Sequence, residues 1–293
     1  MLRRVLFWMA LAGWLRAEPI DNLIAFTRLL GYVRYFHPTD EAAAADWENL
    51  TVEAIPAVEA ALTPAELARA LEEIFRPVAP AVRVYVTGRR PAWTAPERKP
   101  HVITWRHVGV GLGAPQSIYS SRRVSSLELG AVQSEFPDPA QPYETDLGGG
   151  VSALIPLAVY SDGLAWPARP VVAPARRADR ATRLAAVAIA WNVFQHFYPY
   201  FDVVGADWPG ALRRALQAAS SDADELAFLR TLRRLVAELG DGHGNVFHAS
   251  EPKPFVPPLG GTAVALSPLV PRTVRRPPLA DRTSGLPRCQ CHD

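Results

Sequence analysis

RLAAVAIAWNVFQHFYPYFDVVGADWPGALRRALQAASSDADELAFLRTLRRLVAELGDGHGNVFH, residues 183–248, decides how the rest of the chain is read. Leu184, Val187, Trp191, Phe194 and Tyr198 recur at helical intervals and define one apolar face. Pro199 closes that helix, because the residue before a proline is pushed out of the α region. Asp207 is placed to cap a second helix from Trp208, with Leu212, Ala215, Leu216 and Ala219 as its buried stripe. Asp222 and Glu225 form a capping-box pattern for a third helix, which turns Leu226, Leu229, Leu232, Leu235, Val236 and Leu239 inward. Gly240 suits a left-handed stop. Asp241-Gly242-His243-Gly244 follows, a turn with a glycine on each side of an imidazole.

The same pattern stands 161 residues earlier, where Pro38 matches Pro199 and Trp47 matches Trp208. At that offset Leu23, Phe26, Leu30, Val33 and His37 fall on Leu184, Val187, Trp191, Phe194 and Tyr198, Phe36 on Phe197, and Asp46 on Asp207. Thr63-Pro64-Ala65-Glu66 repeats the capping box, with proline at the preferred first helical position. The spacing implies a duplicated helical unit with Trp47 and Trp208 in equivalent buried positions. The copies diverge at the turn, where Pro80-Ala81-Val82 replaces Asp241-Gly242-His243.

From the start, residues 1–17 read as a secretion signal, with Arg3 and Arg4 before an apolar run and a passable cleavage site at Leu15-Arg16-Ala17. A secreted or periplasmic location follows, and no other stretch is long and apolar enough to span a bilayer. A net charge of +2 gives no electrostatic footprint for nucleic acid. The two cysteines, Cys289 and Cys291, are too close together to staple a fold. The first helical unit covers 18–82. Short β-branched or alternating runs then begin near residues 82, 101, 124 and 153, and indicate an all-β, sandwich-like module over 83–170. Gly148-Gly149-Gly150 reads as a turn within it, since nothing at P-loop spacing follows. His101, Trp105 and His107 share a strand face and are either a binding surface or ordinary half-buried strand residues. Residues 171–180 form a linker, 181–250 the second helical unit, and 251–293 a Pro/Arg-rich tail, disordered or out of frame. The fold class expected is α+β and multidomain, with two three-helix units flanking the β module.

His243 is the candidate for chemistry. A histidine on a glycine-flanked turn titrates near neutral pH and reaches outward, as a general base must. The competing reading is a helix C-terminal histidine favoured by the dipole. Asp241 and His248 give no convincing metal geometry with it, and Cys289-Gln290-Cys291-His292 lacks a second ligand pair, so no metal or cofactor is expected.

The run Tyr198-Pro199, Asp207-Trp208 and Leu239-Gly240-Asp241-Gly242-His243 resembles the helical domain that precedes the catalytic core of the tail-specific, or C-terminal processing, serine peptidases, in their tricorn-core-like branch. That resemblance covers about 65 residues. It implies that His243 is the general base for a later serine, with a peptide or protein as substrate. The serines after His243 (Ser250, Ser267 and Ser284) lack a strand–turn–helix setting with glycines and apolar flanks. No nucleophile is therefore assigned. The chain is expected to be the N-terminal part of such a peptidase, cut short or frameshifted near residue 265, and inactive by itself. The alternative is a non-catalytic secreted protein that binds a peptide or glycan.

Overall fold

The computed structural model describes residues 18–110, 120–127, 136–163, 179–241, 244 and 246. Among them are seven helices and two small antiparallel sheets, a mixed α/β architecture. The helices are α1 (Pro19–Phe36), α2 (Asp40–Ala44), α3 (Trp47–Ala60), α4 (Pro64–Phe75), α5 (Arg180–Phe197), α6 (Trp208–Ser221) and α7 (Glu225–Ala237). No helix among the described residues is long and apolar enough to cross a membrane.

Side-chain caps set most of the helix starts. Asp46 Oδ1 accepts from the Asn49 amide at 3.2 Å, and Asp207 Oδ1 from the Gly210 amide at 3.0 Å. Thr63 and Glu66 complete a reciprocal capping box on α4. On α7 the cap is Asp224, which accepts from the Ala227 amide at 2.7 Å. The expected Asp222–Glu225 box does not form; Asp222 instead ends α6. Asp224 has the extended backbone that a cap needs, and it stands 161 residues after the cap Thr63. Likewise α5, α6 and α7 begin 161 residues after α1, α3 and α4. Trp208 is buried, but Trp47 is only half-buried. Trp47 lies against the short helix α2, where its indole N–H donates to the Ala42 carbonyl at 3.1 Å.

Helices α1 and α5 run side by side in the same direction, with residues 161 apart abreast of one another. A Cβ on Gly31 would come within 2.0 Å of Asn192 Oδ1. The Asn192 amide donates to both the Thr27 and Ala188 carbonyls, at 2.7 and 3.0 Å. Tyr35 and His196 rings meet at 5.9 Å. Each of these pairs (31 and 192, 27 and 188, 35 and 196) is separated by that same interval. The flanking contacts match too, since α3 packs on α5 as α6 packs on α1.

The strands are β1 (Arg83–Val86), β2 (His101–Val108), β3 (Ser120–Ser125), β4 (Tyr143–Gly148), β5 (Val151–Ile155) and β6 (Ala158–Ser161). They form sheets in the orders β1-β5-β4 and β3-β2-β6. The apolar run expected as one strand over 153–160 is two, in different sheets. Pro156 has no amide hydrogen for a ladder and ends β5. The strand expected at 124–129 is shifted to Ser120–Ser125. Gly148, Gly149 and Gly150, all at positive φ, turn β4 into β5. The β1-β5-β4 sheet does not close a sandwich. Its Val84, Leu147, Val151, Ala153 and Ile155 join one core with α1, α3, α4, α5, α6 and α7, so that core crosses the boundary expected at 82/83. A smaller cluster of Val102, Val124, Phe136 and Ala158 underlies the other sheet.

Candidate functional site

Leu239 is buried, and Gly240 takes a φ of +63°, a backbone that glycine adopts without strain. The chain then turns. The Gly244 amide donates to the Asp241 carbonyl at 3.1 Å. A Cβ on Gly244 would stand 2.7 Å from Val236 Cγ1, so the close return onto α7 requires glycine. Arg233 Nε donates to the Val246 carbonyl at 3.0 Å, and the Val246 side chain is buried. The chain is thus fastened on both sides of residues 242 and 243. His243 itself lies outside the described residues, as do His248, Ser250, Ser267, Ser284, Cys289, Cys291, the signal segment and the tail.

Of the residues that carry the peptidase resemblance, Tyr198 reaches this turn directly and Trp208 is linked to it through Phe201. The Tyr198 hydroxyl is hydrogen-bonded to the Asp241 carboxylate. Burial first, and then the Asp241 charge, pushes the Tyr198 phenol up to about 12. Tyr198 packs edge-on to Phe201 at 5.1 Å, and Phe201 packs on Trp208 at 5.7 Å. Trp208 stacks on Trp191 at 6.1 Å, and its carbonyl accepts from the Trp191 indole at 3.0 Å. Arg214 bridges Asp207 and Glu238, each at 3.0 Å, and so ties the start of α6 to the end of α7. Being exposed, that bridge orients more than it stabilises. The arrangement can hold the backbone on either side of residue 243 in a fixed position, which is what a positioned acid or base requires.

On β2, His107 is buried and both ring nitrogens are engaged, with the Tyr35 carbonyl at 2.6 Å and Ser121 Oγ at 2.9 Å. Trp105 stacks on His107 and donates to the His37 carbonyl at 3.1 Å. This strand face packs on the end of α1; it is no open binding surface. His101, at the strand's start, is half-buried. Sequence reasoning missed the cage of rings between α1, α5 and β2. Its signal was the pairing of Tyr35-Phe36 with His196-Phe197 at the repeat interval.

A separate cavity of about 340 Å³ opens beside β6, lined by Trp93, Pro96, Pro139, Pro156, Tyr160 and Lys99 among others. The Trp93 indole N–H is buried without a hydrogen-bond partner among the described residues. Nor does any group of three His, Cys, Asp or Glu among them stand where it could hold a metal ion. Compared with known proteins, the chain matches no family model, no curated protein and no solved structure.

Proposed function

We propose that residues 181–250 serve as the helical domain of an exported serine-type peptidase of the tail-specific, tricorn-like kind, with His243 as its general base. One observation carries the reading: Tyr198, one of the residues of the sequence resemblance, bonds to Asp241 two residues before His243, with Phe201 and Trp208 packed behind it. A base needs a fixed mount and a nucleophile within hydrogen-bond reach. The fastened turn supports the first; no residue of this chain is assigned to the second. The 293-residue chain should therefore neither hydrolyse peptides nor react with a serine-directed phosphonate. Stoichiometric labelling lost in His243→Ala would mean that a tail serine is a nucleophile. As to the base, a longer chain that restores a serine-bearing core should label with the phosphonate, and labelling that survives His243→Ala there would defeat the assignment.

We further propose that the chain is an internal duplication of a three-helix unit, about 20–80 and 181–241, flanking the strands. Support comes from helix starts and caps at a single offset, and from residues of α1 that touch their own counterparts in α5. Contact between equivalent positions is the mark of a two-fold arrangement. A second functional reading, a protein that binds an extended peptide or glycan, is favoured only by the cavity at Trp93. Aromatic and proline-lined clefts with an unused donor suit such ligands. A shift of the Trp93 indole N–H resonance on titration with proline-containing peptides or oligosaccharides would support it, and no shift with either would remove it.

A further inference from the structure

Three histidines among the described residues are buried: His37, His107 and His196. The last two share one aromatic cage. Phe36 lies 5.3 Å from the His107 ring and 5.1 Å from the His196 ring, and Phe197 is 5.3 Å from His107. Tyr32 and Tyr35 flank His196 at 5.3 and 5.9 Å.

The two rings differ in what protonation would do. In His107, Nε2 faces the Tyr35 carbonyl, and Nδ1 faces Ser121 Oγ, whose own proton can go to the Val110 carbonyl at 2.6 Å. A proton added to His107 therefore finds an acceptor. Neither nitrogen of His196 has a partner among the described residues. A charged His196 would carry two donors into a cage of rings beside His107, which itself opposes the charge.

The surrounding charged groups offer no relief. From α1 come Tyr32 and Tyr35, with Arg28 and Arg34 beyond them, and from β4 Tyr143, whose hydroxyl is 3.3 Å from that of Tyr32. On the side of β2 and β3 stand Ser121 and the Arg123–Asp40 ion pair. On α5 itself is Asn192, whose Oδ1 also lacks a partner among the described residues. No carboxylate among these favours the charged form of either ring.

We propose that His196, wedged among Tyr32, Tyr35 and Phe36 with His107 beside it, is an acid-sensitive latch that holds the last turn of α5 against α1 and releases it on taking up a proton. The proposal is independent of the peptidase reading. Burial pulls His196 down to about 3 and His107 to about 4. Above about pH 6.5 both rings are neutral whether the latch is open or closed, and closure has its full strength. Below that, the opened chain binds protons that the closed one refuses. Closure then weakens about tenfold per pH unit for each ring, until pH reaches the closed-state values. The last turn of α5 leads into Tyr198, so its release also slackens the tie to Asp241.

The test uses the full chain with isotope-labelled histidine. NMR titration from pH 8 to 4 should show His196 neutral in the closed form throughout. Hydrogen exchange at residues 194–198, corrected for its intrinsic pH dependence, should show opening that rises at least tenfold per unit below about pH 6.5. His196→Phe removes the basic nitrogens, so this rise should lose one factor of ten per unit. A His196 signal that titrates near 6.5 without opening would overturn the proposal, as would a variant with the unaltered slope. Where the variant does not fold, the titration of the unaltered chain decides.

Discussion

The helices α1, α3 and α4, and the helices α5, α6 and α7 that begin 161 residues later, use positions at that offset for like tasks, then send the chain to different ends. In the first set, Asn22 donates to the Val58 carbonyl at 3.1 Å; in the second, Arg183 donates to the Ala219 carbonyl at 3.0 Å, both residues 161 later. Glu72 on α4 accepts from the Val84 amide at 2.9 Å, and Arg233 on α7, again 161 later, donates to the Val246 carbonyl. A carboxylate in one and a guanidinium in the other thus fasten the strand or segment that returns along the helix. What differs is the link between. After α4, the Val82 amide bonds back to the Ala79 carbonyl and the chain enters a sheet. After α7, glycines stand at 240 and 244, and the Gly244 amide bonds back to the Asp241 carbonyl. A common packing frame leaves the linking residues free to differ, because they bear little of the core and can diverge without unfolding it.

Trp208→Ala should cost about 3–5 kcal/mol, as for other buried aromatic residues, and half-buried Trp47→Ala clearly less. Equal losses in urea unfolding would erase the asymmetry between the two positions. Next is the α1–α5 contact. Gly31→Ala places a Cβ against Asn192 and His196 and should destabilise by about 1–3 kcal/mol, despite the better helix propensity of alanine. A stabilised variant would show that the helices are not closely abreast there. Glu72→Ala and Arg233→Ala should each lose about 1 kcal/mol, since each strands a backbone group. Glu72→Gln keeps an acceptor and should lose little. The smallest effect is electrostatic. Asp241→Asn removes the charge that opposes the Tyr198 phenolate and should lower that phenol from about 12 in an alkaline absorbance titration, while Tyr85, also near 12, stays put. An unmoved Tyr198 would break the link between α5 and the turn.

The helices were legible because their signals are local: caps, prolines and a 3.6-residue apolar period all act within a few residues. Asp224 was missed for Asp222 because both precede the same apolar run; the offset from Thr63 points to Asp224, and its extended backbone makes it the cap. Strand β4, Tyr143-Glu144-Thr145-Asp146-Leu147-Gly148, does alternate, but its one aliphatic side chain is Leu147 and the run was not singled out. Most of its stability comes from cross-strand partners on β5, a non-local cause. The same limit applies to the site. The glycines and His243 stand out in the text, but the bond between Tyr198 and Asp241 depends on how two helices pack.

The abreast packing of α1 and α5 bears on the order of events during synthesis. The Thr27 carbonyl and Gly31 await Asn192, over 160 residues downstream, while α3, α4 and the β1-β5-β4 sheet are made in between. Closing so long a loop is slow, and nothing rewards it until α5 emerges. A nascent chain that has reached residue 163 therefore exposes the flank of α1 that α5 will cover, including Tyr35. The first set of helices waits for the second to complete the core, and that interval is when the chain is most exposed to aggregation and most in need of a holding chaperone.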